Sequence, residues 1–471
     1  MKSNLLKKLF IFIIFGIFTL FIASCEMGGS TSIAVPENLE INDTIISFKE
    51  VEGATKYRIE IRNIETEEIL KRFVENGTDL DSLNIPEGKY MIKIQAMNDN
   101  NNESKFSEEV AYSQKDLYLV NSIEGEQLID GKYIKWMGRT SYNATTKANT
   151  MYYTAAGFSV NVKKVEEDLT LTATVTATNY NISDKMPYIV LVLDDDFENT
   201  ITLNLSKQTN EVVLVGDGGF SITDEEVHKV SLYKRSESID SHIALKKLVT
   251  SGKFIEGVTY KERKIEVIAA SSSTGYGNLS ATAKTTATSD GLHAFAFLSA
   301  LALDAEINIV SASGWGIYAS RWTSPQTINM HDKYFNTDVS SNEVWDTTKY
   351  VPDLIVVNFG TNDLSYINLA TDSVEKAKRI ENFISMYVDF VKKLKATYND
   401  PEIIILYGLM NESGIYAEHE EIFDRLSEYE GIYLLKINGD AKGYNSHPSV
   451  TSHAEIAEAL TAKIREIEGW E

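Results

Sequence analysis

Cysteine is nearly absent from this chain of 471 residues. Cys25 stands alone, so no internal disulfide can form and a disulfide-stapled scaffold is excluded. Basic charge is also in deficit: 45 Lys and Arg face 68 Asp and Glu, giving a formal charge of −23. Such a surface repels phosphates instead of releasing their counterions, which excludes nucleic acid as a partner and favours neutral or weakly charged substrates. The seven histidines are scattered, and His447 with His453 lacks the spacing or nearby cysteine of a zinc site. No glycine-rich phosphate loop is present, so neither metal nor organic cofactor is expected. Asp194-Asp195-Asp196 reads as an exposed turn after a strand, not a calcium site. What is plentiful is core-forming material: 43% hydrophobic and 24% charged residues, the balance of a globular protein. The length calls for two to four compact units.

The N-terminus has its own pattern. Lys2, Lys7 and Lys8 precede an apolar run, Leu9 to Ala23, that is short for a membrane span. Residues 1–25 therefore read as a signal peptide. Its ending, Ile22-Ala23-Ser24-Cys25, resembles the lipobox of bacterial lipoproteins. That resemblance implies a lipidated Cys25 and an extracytoplasmic protein anchored to a bacterial membrane. Residues 26–32, rich in Gly, Ser and Thr, read as a tether.

Residues 33–113 carry the period-2 signal of half-buried antiparallel strands. Tyr57, Ile59 and Ile61 alternate with Arg58 and Glu60, and Tyr90, Ile92 and Ile94 with Met91 and Lys93. With Pro36, Phe48 and Gly88-Lys89-Tyr90 in their places, the stretch resembles a fibronectin type III module, a β-sandwich used as spacer or adhesion element. Residues 115–257 remain strand-rich, as in the Leu/Ala/Val–Thr alternation of Leu169 to Thr178, and predict a second β-sandwich of jelly-roll type.

From residue 262 to 471 the period changes. Short apolar runs (265–268, 307–310, 354–358, 403–407, 432–435) alternate with amphipathic stretches such as Leu292–Leu303 and Ile380–Leu394. This predicts an α/β domain with a flavodoxin-like parallel sheet, whose functional site lies beyond the carboxyl ends of its strands. Three of those ends carry Ala270-Ser271-Ser272-Ser273, Ser313-Gly314-Trp315 and Gly360-Thr361-Asn362-Asp363. Asn445-Ser446-His447-Pro448 precedes the last helix. Ser271 is the candidate nucleophile, with Ser272 and Ser273 as less suitable neighbours, and His447 is the candidate base. The backbone amides of Ser271 and Gly314 and the Asn362 side chain are candidate oxyanion donors. Trp315, Trp322 and Trp345 are candidate stacking surfaces for sugar, with packing into the core as the alternative for each.

These blocks resemble the SGNH (GDSL-like) hydrolase superfamily, whose named residues Ser271, Gly314, Asn362 and His447 match in order. The similarity extends to carbohydrate esterase family two, in which a jelly roll precedes the hydrolase domain. Gly138-Arg139-Thr140, Ala156-Gly157-Phe158, Trp345-Asp346 and Tyr350-Val351-Pro352-Asp353 carry it further, over roughly residues 117–471. The resemblance implies a serine esterase that removes acetyl groups from carbohydrate such as xylan. Two positions depart from the family: Ala270 stands in place of the usual Asp before the nucleophile, and Asn445 in place of an Asp two residues before the histidine. Asn445 is thus a candidate orienter of His447. A glycan-binding protein without turnover, an acyltransferase using the same residues and an adhesion lipoprotein are the alternatives left open. Glycan identity and oligomeric state are not readable.

Overall fold

The computed structural model describes residues 33–470 apart from Asp43, Asn84, Glu87, Asn101, 115–119, Glu166 and Glu167. The segments read from sequence as signal peptide and tether, with Cys25, lie outside the described residues. The chain divides into two compact units, the second beginning at Leu119. No helix among the described residues is long and apolar enough to cross a membrane.

In the first unit, a two-stranded antiparallel sheet (Glu37–Asn42 and Ile45–Lys49) accompanies a four-stranded one. The strands of the latter lie in the order Ile69–Val74, Lys56–Asn63, Gly88–Met97 and Val110–Gln114. The alternation read from sequence is what closes this core. Ile59, Ile61, Tyr90, Ile92 and Ile94 are buried against Ile46 and Phe48.

The second unit stacks two six-stranded antiparallel sheets on an α/β layer. The strand Leu171–Ala177 shows why one sheet faces outward on one side: Leu171, Ala173, Val175 and Ala177 are buried, and the intervening threonines are partly exposed. In the other sheet, Tyr188–Leu193 is apolar throughout because both faces are covered. Ile189 and Leu191 enter the sandwich core, whereas Val190 and Val192 pack with Phe297, Ala305 and Ile307 of the α/β layer. Two buried ion pairs cross the same junction, Lys135–Glu306 and Arg139–Glu266. The Arg139 guanidinium also donates to the carbonyls of Tyr334 and Asn336. The sandwich is therefore a wall of the α/β domain and not a detached module.

The α/β layer holds five parallel strands: β1 (Arg263–Ala269), β2 (Ala305–Ser311), β3 (Leu354–Asn358), β4 (Glu402–Tyr407) and β5 (Ile432–Lys436). Their order in the sheet is β2-β1-β3-β4-β5, the doubly wound arrangement expected from the alternating pattern. The helices are α1 (Phe295–Ala302), α2 (Met330–Lys333), α3 (Thr361–Ile367), α4 (Ser373–Thr397), α5 (Tyr416–Arg425) and α6 (Val450–Glu468). The helical stretch expected from Leu292 begins later, because Gly291–His293 forms a separate 3₁₀ turn capped by Asp290. Helix α4 starts at an Asp372 cap and buries Phe383, Ile384, Tyr387, Val391 and Leu394 on one face.

Candidate active site

The switch in strand order between β1 and its two neighbours places three chain segments at one carboxyl edge. Ser271 follows β1 at the first position of a 3₁₀ turn, Ser271–Thr274. Gly314 follows β2 in the left-handed region, at φ +81°, which a side chain would strain. Asn362 lies in the first turn of α3, just after β3.

His447 reaches this edge from the loop before α6. Its Nε2 lies 2.8 Å from Ser271 Oγ. Its Nδ1 lies 2.9 Å from the Tyr444 carbonyl oxygen and 3.3 Å from that of Asn445. Carbonyl oxygens only accept, so the proton sits on Nδ1 and Nε2 is left as the acceptor facing the serine hydroxyl. Burial holds the imidazole below the ordinary value of 6.5, with the two carbonyls acting in the opposite sense. The Tyr276 ring covers His447 at 4.5 Å between centroids.

Asn445 has a different place from that read in the sequence. It contributes its backbone carbonyl, and its side chain makes no hydrogen bond to His447 among the described residues. The reason is local: Asn445 and Ser446 adopt left-handed φ values of 49° and 62°, which turn the chain so that carbonyls face the ring. Tyr444 supplies the shorter contact and was not singled out from sequence. Gly277 allows it, because a Cβ there would lie 2.4 Å from Tyr444 Cβ.

Ser272 and Ser273 are engaged elsewhere. Ser272 Oγ donates to Asn358 Oδ1, and Ser273 Oγ pairs with Ser311 Oγ and donates to the Ala270 carbonyl. The amides of Ser271 and Gly314 have no protein acceptor among the described residues. Asn362 Nδ2 donates to the Trp315 carbonyl at 2.9 Å, which fixes the amide and leaves one of its two hydrogens.

The three tryptophans separate. Trp322 is 63% exposed and neighbours Gly314, its Cβ 3.3 Å from where a glycine Cβ would point. Trp315 is a core residue, and Trp345 is buried against Arg139 and Lys349 near the amino ends of the strands, so neither offers an exposed stacking face at this edge. The acidic turn is likewise occupied: Asp194 contacts His228, Asp195 contacts Lys229 and Asp196 holds Asn199.

Two carboxylates shape the loop that carries Gly314. Asp363 is fully buried and accepts from the amides of Ile317, Tyr318 and Ala319. Burial raises it to about 6 in spite of those three donors. Glu237, from the sandwich, accepts from the Ser313 amide at 3.0 Å and pairs with Lys284. Asp363 stood within the Gly-Thr-Asn-Asp motif, whereas nothing near Glu237 in sequence signals its role 76 residues away. A small pocket of about 30 Å³ opens beside Ser271, lined in part by Ala270, Asn358, Phe359, Asn362 and Tyr407.

A serine hydroxyl paired with a histidine at a parallel-sheet edge is an arrangement suited to acyl transfer, and the comparisons agree with that class: the chain is a carboxylic ester hydrolase. Residues 270–460 match the GDSL-like Lipase/Acylhydrolase family model, and relatives similar to this chain include acetylxylan esterases. An acetylxylan esterase / glucomannan deacetylase of Cellvibrio japonicus is 25% identical over 347 residues, covering 72% of this chain and 90% of that protein. The cellulase/esterase CelE of Acetivibrio thermocellus is 28% identical over 260 residues, 52% of this chain and 31% of its own length. In fold, an acetyl xylan esterase from the rumen bacterium Butyrivibrio proteoclasticus superposes with a TM-score of 0.64 at 21% identity, covering 75% of this chain and 99% of that one. A family two carbohydrate esterase from Clostridium thermocellum, solved with cellohexaose, gives 0.60 at 22%, covering 72% and 100%.

Proposed function

We propose that this protein is a serine esterase that removes O-acetyl groups from a carbohydrate of the xylan or glucomannan type. The 2.8 Å contact between His447 Nε2 and Ser271 Oγ, with Nδ1 held by backbone carbonyls, carries the reading. His447 takes the Ser271 proton as the oxygen attacks the acetyl carbonyl carbon. The oxyanion is received by the amides of Ser271 and Gly314 and the free hydrogen of Asn362. His447 then gives its proton to the departing sugar oxygen, which leaves as a hydroxyl. Water, deprotonated by the same nitrogen, releases acetate and restores the serine.

Acetyl as the acyl group is supported by the pocket. At about 30 Å³ it is only a few times the 10–15 Å³ that one water needs by the same measure. Trp322, exposed beside Gly314, is the platform for the sugar. The first unit is a fibronectin type III-like spacer, supported by its four-strand order, and residues 115–257 are a jelly roll, supported by two packed antiparallel sheets.

The test is hydrolysis of 4-nitrophenyl acetate and acetylated xylan, with Ser271→Ala as control. Ser271→Ala is expected to lower kcat by roughly 10³-fold or more, and the butyrate ester to react at least about tenfold more slowly than the acetate. A wild-type rate no higher than the mutant's, in a folded protein, would replace the reading with a glycan-binding protein without turnover.

A further inference from the structure

The chain that joins the sandwich strands Val227–Lys234 and Ile243–Thr250 is polar and yet buried, from Arg235 to Ser238 and again at Asp240 and Ser241. It reaches the catalytic edge, where Glu237 accepts the Ser313 amide next to Gly314. A second tie runs to the loop beyond the nucleophile turn. Lys284 Nζ lies 2.6 Å from Asp240 Oδ2 and 3.3 Å from Glu237 Oε1. Among the described residues it is the one cation paired with either carboxylate. The side chains of Glu237 and Asp240 are 3% and 4% exposed and that of Lys284 13%. Three charges so far withdrawn from water are a poor source of stability, because desolvation offsets their attraction.

What the cluster touches next is the cover of the base. The Lys284 ammonium lies over the Tyr276 ring, 5.2 Å from its centroid and within cation–π range. From centroid to centroid, that ring is 4.5 Å from His447 and 6.2 Å from Tyr444, whose carbonyl orients the imidazole. The Tyr276 backbone is pinned by its two neighbours. A Cβ at Gly275 would come within 2.1 Å of the Asp290 carbonyl oxygen, and one at Gly277 within 2.4 Å of Tyr444 Cβ. Its side chain is only half-buried, and no hydrogen bond fixes its hydroxyl among the described residues. Such a ring is free to swing towards water unless something holds it, and the ammonium over it supplies that hold.

We propose that Lys284 is a positioning residue of the esterase: held between Glu237 and Asp240 of the sandwich, it fixes the Tyr276 ring against His447 and so sets the base towards Ser271. The same Glu237 carboxylate holds Ser313, so one buried cluster on the sandwich aligns both the base and the loop that carries Gly314. This inference rests on the Ser271–His447 reading above and adds the residue through which the sandwich acts on it.

The experiment compares the full protein with Lys284→Met, Lys284→Arg and the pair Lys284→Met/Asp240→Asn. The pair removes one anion together with the cation, which separates charge balance from contact with the ring. Lys284→Met is expected to lower kcat for 4-nitrophenyl acetate at least about tenfold with KM within about twofold, since a reacting group displaced by an ångström costs that much or more. The pair is expected to regain the melting temperature lost in Lys284→Met but not the kcat. Lys284→Arg keeps the charge and can stack on the ring, and its kcat is expected within about threefold of wild type. In NMR spectra of histidine-labelled protein, the ring current of Tyr276 shifts the His447 ring protons. Both Met variants are expected to move these resonances towards their positions in Tyr276→Leu. Full recovery of kcat in the pair, or His447 resonances unchanged in both Met variants, would overturn the proposal and leave Lys284 as a neutralising charge. Absence of turnover in the wild type would sink the esterase reading, and the resonances would still decide whether Lys284 holds the ring on the histidine.

Discussion

Asn445 lies two residues before His447, where a carboxylate would hold an imidazolium by charge, yet only its backbone oxygen faces the ring. The Tyr444 and Asn445 carbonyls can fix the tautomer without a charged partner. Asn445→Gly suits the left-handed backbone and keeps the carbonyl. Its kcat/KM on 4-nitrophenyl acetate is expected within about threefold of wild type, and a loss near the 10⁴-fold seen when a triad Asp is changed would show that the side chain matters. Protonation gives a second prediction at this scale. The base must be neutral to accept the serine proton, and burial lowers the His447 value below 6.5. The acid limb of kcat/KM is therefore expected below pH 6.5, with a plateau from about pH 7 to 8. A limb centred above 7 in the pH profile would contradict this environment.

The loop after β2 carries Gly314, one of the proposed oxyanion donors, and its shape is imposed from outside itself. Asp363, one position beyond Asn362, accepts three consecutive amides of this loop, and Glu237 accepts a fourth. Asp363→Ala leaves those buried donors open, at a cost of the order of 3 kcal/mol. Melting temperature is expected to fall, and kcat at least about tenfold, because Gly314 rides on the same loop. Asp363→Asn keeps one accepting oxygen and is expected to recover part of both. A variant that loses stability with kcat intact would separate the loop from the chemistry.

At the scale of the molecule, the sandwich and the α/β layer share a buried face, so a cut between them divides one folding unit. Residues 119–471 are expected to fold and to hydrolyse 4-nitrophenyl acetate with the kcat/KM of the longer chain. Residues 262–471 alone would expose Phe297 and Ile307 and strip Glu266 and Glu306 of their cations. Removing one partner of a buried pair costs roughly 3–5 kcal/mol, and this fragment is expected to be insoluble or to lack a cooperative melt. Soluble, active 262–471 would show that the sandwich is dispensable for folding.

Sequence by itself determined the strand–helix alternation, because burial on one face or two writes a period of 2 or 3.6, or an unbroken apolar run, into the chain. It also put forward Ser271, Gly314, Asn362 and His447 as candidate site residues, since these fall at strand ends and in one loop in a recognisable order. Tertiary structure alone decided who supports them. Tyr444 holds His447 through a backbone atom that every residue carries, so no residue type marks it. Glu237 comes from another layer, and pairing across such distances leaves no local period. The tryptophans were distinguishable only by burial: Trp322 lies open beside Gly314, Trp315 closes a core, and Trp345 borders the opposite end of the sheet. Periodicity reports which face of an element is covered, and only the folded chain reports what covers it.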